Sequence, residues 1–127
     1  MSKSQYVLPI VDMALKNDAF RDELITGPES QLVLMTIQPG EEIGSEVHED
    51  HDQILVFVEG VGTAILDDES FEIGVNDLVF VKAGVKHNFV NSGPTPLRLY
   101  TIYAPPEHSA GTRHETKAEA DAAEGHH

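Results

Sequence analysis

The sequence predicts an all-β protein, a sandwich or barrel, and three observations carry that expectation. Nine short runs rich in Val, Ile, Leu, Phe or Tyr follow one another closely from Phe20 onward. Between them lie segments such as TGPES, QPGEEIGS, GVND, KAG and NSGPTP, in which Gly supplies positive φ, Pro a fixed φ, and Asn or Asp a side-chain-capped turn. Several runs, ILVFV and LVFV above all, are apolar at every position, so both of their faces need cover, which two packed sheets would supply.

Taken in order, the chain opens on the apolar stretch YVLPIV, read as extended, and residues 11–17 then predict one short helical turn capped by Asp12. The nine strand-like runs are FRDELI, QLVLMTI, the EVH segment, ILVFVEG, GTAILD, SFEI, LVFV, HNFV and LRLYTIYA. From Glu107 the composition shifts to small, charged and histidine residues. There Thr116 and Glu119 fit a capping box for a short terminal helix, with a flexible tail as the other reading. The resulting division is an N-terminal extension over residues 1–19, a β-domain over 20–107 and a C-terminal tail over 108–127.

Length and charge narrow the function. A chain of 127 residues is the size of one domain. Its formal charge of −14, relieved by no cluster of Lys or Arg, repels phosphate backbones and anionic lipid surfaces, so neither nucleic acid nor membrane is an expected partner. YVLPIV is too short, and too soon followed by Asp12, for a signal-peptide core, and the expectation is a soluble cytoplasmic protein. With no cysteine, any metal must be held by nitrogen and oxygen.

One stretch concentrates such donors. Residues 40–53 read GEEIGSEVHEDHDQ, with two histidines, several carboxylates and one glutamine just before a buried-looking strand. If EVH is extended, Glu46 and His48 share a face and Val47 points away. His51 lies in what reads as a turn, and Gln53, at the mouth of the apolar strand, needs a partner for its amide. The second segment is KAGVKHNFVN, where His87 follows a glycine turn and Asn91 follows four residues later. Alone, His87 reads as scaffold; the two segments gain meaning together.

Together they resemble the two motifs of the cupin superfamily. Gly40, Glu46, His48, Gln53 and Gly60 fall on the first at its spacing, with Glu46 at a histidine place and Gln53 at the glutamate place. Asn76, Lys82, Gly84, His87 and Asn91 fall on the second, with Asn76 at a glycine place and Lys82 at the proline place. The text over residues 20–120 also looks like small single-domain bacterial cupins of the mannose-6-phosphate-isomerase-like group. The resemblance implies a double-stranded β-helix, the jelly roll, with a divalent metal (Mn, Fe, Co, Ni or Zn) in its opening. Carried over by position, the ligands are Glu46, His48, Gln53 and His87, with His51 as a substitute. The carboxylate has moved from the Gln53 place to the Glu46 place, which keeps the formal charge at the metal and costs one imidazole. It further implies a metalloenzyme acting on a small oxygen-rich metabolite, of isomerase, dioxygenase or lyase type, or else a non-catalytic binder of a sugar or carboxylate. A homodimer, formed through the outer sheet and aided by YVLPIV, is expected by the same analogy.

Other candidates are weaker. His108 or Glu107, in YAPPEH, follows a strand that ends near the opening, but a solvated turn is the simpler expectation. Tyr100 and Tyr103 are three apart, so only one faces the interior. His114, His126 and His127 stand in the tail, where histidines bind metal adventitiously, and DDES reads as a solvated turn.

Overall fold

The computed structural model describes residues 6–124. Nine strands form two antiparallel sheets among these residues. The larger contains β1 (Arg21–Thr26), β2 (Gln31–Ile37), β3 (Asp52–Glu59), β6 (Leu78–Val81), β8 (Leu97–Ala104) and β9 (Arg113–His114), in the order β6-β3-β8-β2-β1-β9. The smaller contains β4 (Gly62–Leu66), β5 (Glu69–Ile73) and β7 (His87–Val90), in the order β5-β4-β7. Helix α1 (Ile10–Lys16) precedes the strands and α2 (Lys117–Glu124) follows them. Among the described residues, no helix is long and apolar enough to cross a membrane.

Alternation fixes which side chains meet between the sheets. On β3 the inward set is Gln53, Leu55 and Phe57, and on β8 it is Leu97, Leu99, Thr101 and Tyr103, all buried. They join Val33, Met35 and Ile37 of β2 and Phe89 of β7, whose ring lies 5.9 Å from that of Phe57. Complete burial of Leu97 or Leu99 contributes about 1.5–3 kcal/mol each. Toward one end the apolar core gives way to polar side chains. Gln31, Tyr103, Gln53 and Val81 are successive cross-strand partners, so the row faces inward across four strands and carries two buried amides. Tyr103 of this row lines the cavity described below.

Tight turns hold the ends together. Asn76, at a glycine place of the second motif, has φ +74°, a left-handed conformation that Asn adopts more readily than other side-chain-bearing residues. Asn91 does not face the site. Buried at 1% exposure, it donates to the carbonyls of Ile37 and Thr95 and accepts from the amide of Gly93, tying the β7 exit to β2.

Four expectations change. Asp12 does not cap α1: Pro9 precedes the helix, no side chain caps it, and Asp12 instead pairs with Lys16 one turn on, at 3.0 Å. The EVH segment makes only a single bridge, Glu46 with His87, because Gly44 and the turn at residues 49–50 break the extended run on either side. LVFV is not covered on both faces: β6 is an edge strand, and Leu78 and Phe80 are 58% and 50% exposed. Finally, part of the C-terminal segment belongs to the barrel. β9 pairs with β1, the Thr116 hydroxyl accepts from the Glu119 amide at the start of α2, and Ala120 sits in the core at 2% exposure.

Candidate metal centre and adjoining cavity

The site begins with a reciprocal backbone pair. The amides of Glu46 and His87 each donate to the other's carbonyl at 2.8 Å, which sets the two side chains next to one another, and the His48 carbonyl then accepts from Gly84 at 2.8 Å. These contacts bring Glu46, His48 and His87 together, with one donor atom of each lying within 4.8 Å of the others. The His48 and His87 rings are 5.1 Å apart, and His48 Nε2 is 4.0 Å from Glu46 Oε2.

Both imidazoles are held by the same nitrogen. His87 Nδ1 lies 2.9 Å from the Val85 carbonyl, which can only accept, so the proton sits on Nδ1 and Nε2 carries a lone pair. That Nε2 is buried and has no partner. His48 Nδ1 lies 3.0 Å from Glu107 Oε2, which likewise leaves Nε2 facing Glu46. A histidine with one nitrogen fixed by a carbonyl or carboxylate and the other left open is the arrangement of a metal ligand.

Glu107 reaches further. The same oxygen is 3.1 Å from Nε2 of His51, a buried ring that stacks on His48 at 4.4 Å and has Asp50 3.4 Å from its Nδ1. His48, His51 and Glu107 thus form a second group with donor atoms within 4.8 Å of one another. The turn EDHD does fold inward. Gln53, at 3% exposure, donates its amide nitrogen to the Thr101 hydroxyl at 3.1 Å, and that hydroxyl donates to the Ile54 carbonyl.

Electrostatics follow from these contacts. The hydrogen bond to Glu107 raises the His48 pKa above its usual value, aided by the charge of Glu46 and opposed by burial. The same bond lowers the Glu107 carboxyl. Burial pushes His87 down, and pushes His108 down to about 4, with the positive charge of Arg21 adding to the effect on His108.

Beside the cluster opens a cavity of about 500 Å³, lined by Arg21, Glu46, His48, Tyr103, Glu107 and His108. Tyr103 meets the His48, His51 and His108 rings edge-on, while Tyr100 stays partly exposed on the other face, as their spacing requires. Val47, expected to point away from Glu46 and His48, lines the same cavity as they do. It is 45% exposed and joins the cavity rim, because strand alternation does not operate where no strand forms. Glu107 and His108 are not a free turn either. Gln31 clasps them: its amide nitrogen donates to the His108 carbonyl at 2.6 Å, and its carbonyl accepts the Glu107 and His108 amides at 3.2 and 2.9 Å. His114 lies in β9 against Arg21, and His126 and His127 fall outside the described residues. Arg21, which the sequence reading does not single out, also lines the cavity. FRDELI is legible as a strand, but nothing in that run marks its arginine for burial.

Comparison with known proteins agrees with this architecture. The model of the cupin domain family matches residues 33–103. The Bacillus subtilis protein YrkC is 44% identical over an alignment of 125 positions that covers 94% of this chain and 67% of that protein. The crystal structure of BH2720 from Bacillus halodurans superposes with a TM-score of 0.92 at 42% identity, covering 95% of this chain and 96% of that one. A Klebsiella pneumoniae protein with a double-stranded β-helix domain, at 22% identity and a TM-score of 0.70, shares the fold over 90% of this chain and 100% of its own. With both sheets, both motifs and the family match over the barrel, the chain belongs to the cupin family and is a double-stranded β-helix with a short C-terminal helix.

Proposed function

We propose that the protein is a metal-dependent cupin enzyme that acts on a small oxygen-rich metabolite in the cavity beside His48. The observation carrying this reading is the paired orientation of the two imidazoles. His87 and His48 each spend Nδ1 on a fixed acceptor, and the Nε2 of His87 is buried with no partner, a costly arrangement unless something fills it. Glu46, His48 and His87 would hold a divalent ion, with the Gln53 carbonyl or His51 as a further donor, and this mixed nitrogen and oxygen set suits Mn, Fe, Co, Ni or Zn. Such an ion polarises a bound carbonyl or hydroxyl. The chain's own part is to hold the Nδ1 proton of His48 through Glu107, to keep His108 neutral near physiological pH, and to present Tyr103 and the cavity wall to the metabolite.

The test uses the full chain, because the segment beyond residue 107 is part of the site, with His126 and His127 replaced by alanine to remove adventitious ligands. Metal content by elemental mass spectrometry should be near one ion per chain and fall to background when His48→Ala and His87→Ala are added, with circular dichroism confirming the fold. Equal trace metal in both proteins after reconstitution would sink the metalloenzyme reading and leave a polar pocket for a sugar or carboxylate.

We further propose that the protein works as a homodimer. The outer face of β6 exposes Leu78 and Phe80, and α1 and the segment before it expose Tyr6, Val7 and Val11, apolar surfaces that a second copy would cover. Sedimentation across micromolar concentrations should give twice the chain mass, and a monomer throughout would remove the proposal.

A further inference from the structure

Arg21 is buried at 4% exposure, and among the described residues no carboxylate pairs with it. Its guanidinium has one nitrogen 3.1 Å from His114 Nδ1, its carbon 5.3 Å from the Phe20 ring centre, and an Nε that is buried with no partner. In a chain of formal charge −14, a guanidinium shielded from water and denied a carboxylate is an anomaly, since an uncompensated buried charge is strongly destabilising. Among the described residues no ion pair joins Arg21 to Glu46 or Glu107, and the Glu107 carboxylate lies instead 3.0 Å from His48 and 3.1 Å from His51. A second orphan, Nε2 of His108, lies on the same cavity, and it too is buried without a partner.

We propose that Arg21 is the anchor for the carboxylate group of a small organic acid, whose oxygen-bearing opposite end lies toward His48 and Glu46 in the same cavity. The placement of Arg21 by β1, between Met35 of β2 and His114 of β9, holds the guanidinium at the cavity wall. Its planar fork matches a carboxylate in a way an ammonium does not. The charge balance selects the anion class. Arg21 is the one guanidinium or ammonium among the lining residues, and Glu46 and Glu107 line the same space, so a singly charged carboxylate meets less repulsion there than a phosphate of charge near −2. This inference rests on the cavity being the ligand site, and it holds whether or not a metal is bound.

The experiment is thermal unfolding of the full chain in excess chelator, with glycolate, pyruvate, lactate, the neutral glycolamide and inorganic phosphate as probes. At least one carboxylate should raise the Tm in a concentration-dependent way, as a ligand of the native state must, and glycolamide should not. Arg21→Met should keep or raise the ligand-free Tm, because it removes an unpaired buried charge, and should lose the carboxylate response. Arg21→Lys, which keeps the charge and loses the fork, should bind at least about tenfold more weakly. A carboxylate response unchanged in both variants overturns the assignment, as does a wild-type protein that answers none of the acids or answers phosphate alone. A ligand-free Tm that falls in both variants, with no carboxylate response in the wild type, would make Arg21 a structural tie to His114 and Phe20. Because chelator is present throughout, none of these outcomes depends on the metal content measured above.

Discussion

Gly60→Ala will lower the Tm by about 10 °C or more, corresponding to roughly 3 kcal/mol for a domain of this size. Two independent effects add. Gly60 has φ +90°, in a region where an L-residue is disfavoured by about 1–2 kcal/mol. In addition, a Cβ there would stand 2.5 Å from the Pro96 carbonyl oxygen and 3.1 Å from the Leu97 Cα, both backbone atoms that cannot swing aside. Leu97 is fully buried in the core, so the shift would be felt between the sheets. Gly40 provides the control. Its φ is +83°, but nothing lies within 4 Å of its Cβ position, so Gly40→Ala should show the backbone penalty alone. Equal losses of Tm in the two variants would refute the steric half of the argument.

Acid sensitivity of the metal-free protein should depend on His108. In the fold its pKa is lowered to about 4 from 6.5, so between those values the unfolded chain binds a proton that the native state refuses. Stability from this group is therefore intact above pH 6.5 and is lost as pH falls toward 4. Between about pH 7.5 and pH 5 the loss amounts to at most about 2 kcal/mol. His87, also lowered, acts with the same sign. His48 acts oppositely: its raised pKa makes its contribution full below 6.5 and loses it as pH rises through the folded value. The Glu107 carboxyl, lowered from 4.5, contributes above that value and loses its contribution as pH falls through the folded one. The His48–Glu107 pair thus stabilises most in mildly acid solution, between the ordinary values of 4.5 and 6.5, where the His108 contribution is being lost. Urea unfolding in chelator at the two pH values should show His108→Gln losing less stability on acidification than the wild type. Parallel pH profiles would mean that His108 takes up its proton freely in the fold.

Much of the barrel was legible because strands declare themselves by local pattern. QLVLMTI became β2 over the same residues, and LVFV and HNFV became β6 and β7. Glycine and asparagine at motif places fell where the backbone needs positive φ, as at Gly60 and Asn76. What local pattern could not carry was which chain segments meet. EVH has strand composition, yet one bridge to His87 is all the pairing it finds, so parity misjudged Val47. Arg21 is buried because β9, 93 residues later, lies against it, and Glu107 finds His48 from 59 residues away, 107 − 48. No spacing rule joins positions so far apart; the closure of the barrel does.

The Gln31 clasp has an evolutionary consequence. It holds residues 107 and 108 by their peptide groups alone, through two amide donors and one carbonyl acceptor. Those bonds are blind to the side chains mounted there, and proline is the main residue that would break them. Positions 107 and 108 therefore behave as two exchangeable sockets at the edge of the cavity, where a descendant protein can try new acids, bases or hydrophobes in a fixed position without first having to relearn the fold.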